Sequence, residues 1–96
     1  MYIVSLTYVC EMDKVDANLE AHVVYLKEQY EKGCFIASGR KVPRTGGVIL
    51  ADMPSRDALD AVLAEDPFCK EGVARYDVTE FVPSMAAKGF ECLLPN

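Results

Sequence analysis

The chain holds one histidine, His22, and the stretch around it, LEAHVVYL, is otherwise rich in aliphatic residues. At helical spacing His22 falls in line with Val15, Leu19, Val23 and Leu26, so an imidazole stands on the stripe that should bury hydrocarbon. A second stretch repeats the anomaly. Leu59, Val62 and Leu63 form an apolar stripe whose next position is Asp66. A buried carboxylate costs several kcal/mol unless it is paired. An imidazole is a natural partner. Held by the carboxylate through one ring nitrogen, it keeps the other free to take or give a proton. His22 and Asp66 would then form the orienting half of a catalytic triad, with Ser38 and Cys69 as candidate third members that spacing does not separate. The plain alternative makes His22 a hydrogen-bonded core residue and Asp66, standing before Pro67, a turn residue at a helix end.

Two helices must position this pair. The first begins near Asp13, an N-cap candidate with Asp16 three positions on, and ends at Gly33, a C′ glycine. Its apolar stripe runs through Val15, Leu19, His22, Val23, Leu26 and Tyr30. The second follows Pro54, is capped by Ser55, and ends or kinks at the Asp66–Pro67 step, because a residue before proline is pushed out of the α region. If the helices lie side by side and run in the same direction, the pair is level. His22 stands nine residues beyond Asp13 and Asp66 eleven beyond Ser55, a difference in height of about 3 Å.

Four strands complete the pattern. YIVSLTYV (residues 2–9), CFIASGRKV (34–42), GVILADM (47–53) and VARYDVTEFV (73–82) are rich in β-branched and aromatic residues. PRTGG (43–47) supplies turn chemistry between the second and third, which form a hairpin. The order βαββαβ is that of an α+β, ferredoxin-like fold with a four-stranded antiparallel sheet. Tyr2, Val4, Leu6 and Tyr8 point to one face and Ile3, Ser5, Thr7 and Val9 to the other; in the last strand Ala74, Tyr76 and Val78 oppose Arg75, Asp77, Thr79 and Phe81. One face packs beneath the helices. The mixed one needs a cover, and two sheets face to face in a homodimer would provide it.

Composition narrows the partners. Ninety-six residues, 51% hydrophobic and 26% charged, suit one soluble domain over residues 1–96, with a core at 1–83 and a tail at 84–96 in which Phe90, Leu93 and Leu94 stand out as apolar. A net charge of −5 with ten scattered basic residues argues against nucleic acid. The N-terminal run lacks the marks of a signal peptide and is too short to span a bilayer, so no membrane is expected. The four cysteines, Cys10, Cys34, Cys69 and Cys92, form no CxxC pair and read as reduced thiols in a cytoplasm. One histidine and dispersed cysteines do not match a zinc-ligand pattern, so no metal is expected.

The stretches AHVVYL (21–26), GCFIASG (33–39), EDPF (65–68) and YDVTEF (76–81) together resemble the YciI-like, or YCII-related, family over nearly all of residues 1–83. The resemblance implies a ferredoxin-like protomer that dimerises into an α+β barrel, with an active site centred on a His–Asp dyad, here His22 and Asp66. Ser38 and Gly39 match the small-residue segment near that pocket. Some relatives eliminate HCl from chlorinated hydroxyquinones, and more distant barrel relatives are muconolactone isomerases. Both chemistries move a proton on a small cyclic substrate without metal or organic cofactor. The PRTGG loop is compact where other branches carry longer loops, so the substrate class does not carry over.

Arg40, on the mixed face of its strand, could hold an anionic group through its guanidinium, and Arg44 in the turn reads as a solvated surface residue. Arg75 and Asp77 alternate on one strand face and suit pairing across a dimer. Gly46 and Gly47 are turn residues rather than a phosphate loop, which sits between strand and helix. Tyr25 and Tyr30 read as packing residues with wet hydroxyls. The reading that follows is a small cofactor-independent enzyme of lyase or isomerase type, with His22 and Asp66 as acid/base dyad and Ser38, Gly39 and Arg40 holding a small cyclic or anionic molecule in a cavity. The alternatives are a non-catalytic small-molecule-binding subunit and a structural dimeric module. A heme-degrading barrel fits less well, since His22 would also have to serve the heme.

Overall fold

The computed structural model describes residues 1–95. Its elements are β1 (Tyr2–Tyr8), α1 (Met12–Glu31), β2 (Phe35–Arg40), β3 (Gly46–Ala51), α2 (Arg56–Leu63), α3 (Pro67–Lys70) and β4 (Ala74–Glu80), followed by a 3-10 turn at Glu91–Leu93. The four strands form one antiparallel sheet in the spatial order β2-β3-β1-β4, the ferredoxin-like arrangement.

Pairing directions settle how the helices run. β1 is antiparallel to β3 and β4, and β3 is antiparallel to β2. Hence β1 and β2 point one way and β3 and β4 the other. α1 joins the first pair and α2 the second, so the two helices run in opposite directions. The premise that His22 and Asp66 are level on parallel helices therefore fails.

Helix ends follow local chemistry. α1 starts one residue before Asp13; Glu11 occupies the N-cap position and makes no side-chain cap bond. Asp13 sits in the first turn instead, where a negative charge suits the helix dipole. At the other end Gly33 adopts φ +78°, its N–H bonds the Tyr30 carbonyl at 3.1 Å, and Cys34 N–H bonds the Gln29 carbonyl at 3.0 Å. This is a Schellman closure, which needs a glycine-like backbone at C′. Ser55 caps α2 by accepting from Ala58 N–H at 3.1 Å.

The core lies between the helices and one sheet face. Tyr2, Val4, Leu6, Phe35, Ile49 and Ala51 are buried from the sheet side, against Val15, Leu59, Leu63 and Phe68. On the far face Ile3 and Val48 remain partly open. The alternation in β1 and β4 is as the sequence reads, because Leu6 opposes Tyr76 and Val4 opposes Val78.

α1 departs from the expected face. Its buried residues are Val15, His22, Tyr25 and Gln29, whereas Leu19, Val23 and Tyr30 stay more than a third exposed. The packed face is thus offset from the aliphatic stripe by one residue, about 100°. Directed contacts account for the rotation. Tyr25 donates its hydroxyl to the Val62 carbonyl at 2.7 Å, and its ring meets Phe35 edge to face.

The two glycines expected in a turn open β3. A Cβ on Gly46 would lie 1.8 Å from the Leu6 carbonyl oxygen, so only glycine permits the backbone approach that seats β3 against β1. After β4 the tail lays Met85, Phe90 and Leu93 beside Met1 and Leu50, around an apolar hollow of about 250 Å³.

Candidate functional site

The site grows out of the segment after α2. That helix stops at Leu63, with Ala64 as its C-cap, so Asp66 is not on its stripe. Asp66 instead takes an extended backbone (φ −64°, ψ 127°), as a residue before proline should, and becomes the N-cap of α3 with Pro67 opening the helix. Its Oδ1 accepts the Phe68 N–H at 2.9 Å. α3 packs against α1, and this contact brings the pair together.

His22 Nδ1 lies 2.7 Å from Asp66 Oδ1, with His22 8% exposed and Asp66 fully buried. The second carboxylate oxygen, Oδ2, accepts the Tyr76 hydroxyl at 2.5 Å. Tyr76 and Phe68 N–H both donate to the carboxylate, the pattern an acceptor-only, ionised Asp66 satisfies, so Nδ1–H also donates to it. The lone pair of the neutral imidazole is then on Nε2. That atom has no hydrogen-bond partner among the described residues and is not sealed from solvent.

The surrounding phenols stay protonated. Burial pushes Tyr76 well above the ordinary tyrosine range, and the hydrogen bond to Asp66 and its charge add to the shift. Burial does the same to Tyr25, helped by the charge of Asp66. Phe68 supports the imidazole from its face, with centroids 3.9 Å apart and planes parallel to within 2°. One tripeptide, Asp66–Pro67–Phe68, therefore holds His22 by edge and by face.

In front of the imidazole is a hollow of about 180 Å³ between α1 and the sheet. Leu6, Leu19, Val23, Leu26 and Phe68 make its apolar wall, and Tyr8, His22, Ser38 and Arg40 are the lining residues that carry polar groups. The hollow lies on the helix-covered side of the sheet, not on the open face.

A bulge in β2 puts Ser38 and Arg40 there. Phe35 pairs with Ala51 but Ala37 pairs with Leu50, so Ile36 is an extra residue. Strict alternation from the buried Phe35 would carry Ala37 and Gly39 to the covered face. After the bulge Ser38 opposes Ile49 and Arg40 opposes Gly47, which in turn opposes Leu6 on the covered side. Arg40 thus lies on the helix-covered side, contrary to its expected place on the mixed face. It makes no ion pair among the described residues. Gly39 contributes backbone to the same lining. Ser38 Oγ is hydrogen-bonded to the Tyr30 hydroxyl, joining β2 to α1.

The remaining candidates fall elsewhere. Cys69 is exposed on α3 and does not line the hollow. Arg44 is bonded to Asp16 at 2.9 Å, tying the β2–β3 loop to α1. Arg75 reaches Asp77 on its own strand at 3.3 Å. Sequence reasoning does not name Tyr8, Phe68 or Tyr76 as site residues, although Phe68 lies in the EDPF stretch that carries the family resemblance. For Tyr76 a signal existed, since alternation already put it on the helix-covered face of β4. No cluster of three or more His, Cys, Asp or Glu able to hold a metal occurs among the described residues. No described helix is long and apolar enough to cross a membrane.

Fold and site together define a ferredoxin-like α+β domain with a buried His–Asp pair at the wall of a hollow between helix and sheet. Residues 1–82 match the model of the YCII-related domain, and the chain belongs to that family. Its fold is similar to that of 5-chloro-2-hydroxyhydroquinone dehydrochlorinase (TftG) from Burkholderia phenoliruptrix AC1100, solved in complex with 2,5-dihydroxybenzoquinone. The TM-score is 0.72 at 20% identity, over 83% of this chain and 91% of that one, a likeness of fold. No curated protein sequence matches the chain.

Proposed function

We propose that the chain is a small enzyme of lyase or isomerase type that moves a proton on a monocyclic substrate bearing an acidic hydroxyl. His22 is the acid/base and Asp66 its orienting partner. The observation that carries this reading is the buried Nδ1–Asp66 bond beside an unpaired Nε2 at the wall of a hollow. A volume of about 180 Å³ suits one six-membered ring, since a cavity of about 150 Å³ holds benzene. In the step proposed, Nε2 takes the proton of a ring hydroxyl and the O–H electron pair enters the ring. The proton then returns from Nε2 to the ring carbon that received the pair, which completes an isomerisation. In a lyase a second ring hydroxyl next gives its proton to Nε2, and a leaving group on that now tetrahedral carbon departs with its bonding pair. Arg40 offsets the negative charge on the ring oxygen, and Ser38 and the Gly39 backbone hold the ring's edge. No step calls for a cofactor.

The ligand printed for the TftG structure, a dihydroxylated six-membered ring, supports this substrate class. The partly open Ile3 and Val48 on the uncovered sheet face support a homodimer built sheet to sheet. The test is turnover of a panel of hydroxylated and halogenated benzenes and quinones, with products followed by mass spectrometry. His22→Ala should lower turnover by about 10²–10⁴-fold, the usual contribution of a general base. Binding of the same compounds with no product formed by the parent protein would favour a non-catalytic binding subunit instead.

A further inference from the structure

We infer that Tyr76 is a positioning residue for His22, acting through Asp66: its hydroxyl pins the carboxylate so that the imidazole keeps its Nδ1 proton and presents Nε2. The inference rests on the acid/base reading of His22.

Three elements converge on Asp66. α1 brings His22, the start of α3 brings Phe68 N–H, and β4 brings Tyr76, which opposes Leu6 on the helix-covered face. A carboxylate is free to turn about its terminal torsion, which has only broad, shallow preferences. Phe68 N–H at 2.9 Å and His22 Nδ1 at 2.7 Å both bear on Oδ1 and leave that torsion loosely set. The Tyr76 hydroxyl at 2.5 Å takes hold of Oδ2 from the far side of the site and removes the freedom.

Charge works in the same direction. Hydrogen bonds donated to a carboxylate favour its ionised form and make it a weaker competitor for a neighbour's proton. With Tyr76 in place, a proton arriving on Nε2 leaves an imidazolium facing a carboxylate. Without Tyr76, Asp66 has one donor fewer and an unpartnered oxygen among buried groups, and it turns or draws the Nδ1 proton toward itself. Tyr25 supplies the contrast. Its phenol is also pushed up by burial, and its hydroxyl is spent on the Val62 carbonyl without touching Asp66.

Because the chain has one histidine, the imidazole nitrogen-15 resonances and the absorbance of the N-carbethoxyimidazole formed by diethyl pyrocarbonate both report on His22 alone. With the imidazole neutral, the parent and Tyr25→Phe should show a single Nδ1–H tautomer. Tyr76→Phe should show a mixture, and its Nε2 should be carbethoxylated roughly two- to tenfold more slowly, the size of one hydrogen bond's effect. Tyr76→Phe indistinguishable from the parent, while Asp66→Asn changes both readouts, overturns the role of Tyr76 and leaves the His22–Asp66 reading standing. If Asp66→Asn is silent as well, that reading falls too. Should Tyr76→Phe not fold, the parent protein decides the matter. The Tyr76 hydroxyl proton should give an exchange-protected downfield resonance that moves when His22 is carbethoxylated, and a resonance that stays put overturns the inference.

Discussion

The imidazole of His22 and the phenyl ring of Phe68 lie face to face, 3.9 Å between centroids and parallel to within 2°. Phe68 is 1% exposed and its N–H also bonds the carboxylate that holds His22 by the edge. The same residue therefore restrains the imidazole twice, once through its ring and once through its backbone.

Replacing Phe68 by Leu keeps the N–H and removes the flat contact. We expect a loss of stability of about 1–2 kcal/mol, below the 3–5 kcal/mol typical of Phe→Ala, because the leucine fills part of the space. The His22 ring resonances should broaden as the imidazole begins to rock. Thermal denaturation and ring carbon relaxation measure the two effects. Sharp, unshifted ring signals in the variant would show that stacking is not what holds the imidazole.

Removal of the buried pair should be costly, contrary to the usual tolerance for apolar replacement. His22→Leu/Asp66→Leu replaces both members of the pair by apolar groups, which is often neutral. Here it also strands two donors, Phe68 N–H and the Tyr76 hydroxyl, that bond only Asp66. Each unsatisfied buried donor costs about 1–3 kcal/mol. The triple variant with Tyr76→Phe should recover about 1 kcal/mol of that loss. Urea midpoints of the double and triple variants settle it, and a triple variant no more stable than the double one contradicts the network.

Alkaline pH should destabilise the protein through its tyrosines. Tyr25 and Tyr76 have folded-state values raised above the ordinary value of about 10 by burial and by Asp66. Below that value folded and unfolded chains both hold the protons and the stabilisation is complete. Above it the unfolded chain releases protons that the folded protein keeps, so stability falls as pH rises. Tyr25→Phe/Tyr76→Phe should flatten this decline. Absorbance titration of the parent should show these two phenols ionising only as the protein unfolds. All five tyrosines ionising reversibly near pH 10 in the folded state would refute the assignment.

Much of the architecture is local and was legible in the sequence. Period-two alternation assigned the faces of β1 and β4, and Gly33 and Ser55 marked helix ends because their backbone and side-chain chemistry acts within a few residues. His22 and Asp66 were found by type, as polar groups where apolar ones belong, although the geometry offered for their meeting was wrong. The short α3, opened by Asp66 and Pro67 and packed against α1, brings them together, while strand pairing sets the opposed directions of α1 and α2. Tertiary structure alone decided the rest. One extra residue at Ile36 moved Ser38 and Arg40 across the sheet, the packed face of α1 turned by one position toward Tyr25 and Gln29, and Tyr76 became the second anchor of Asp66. Each depends on a partner distant along the chain, and periodicity carries no information about which partner a face will meet.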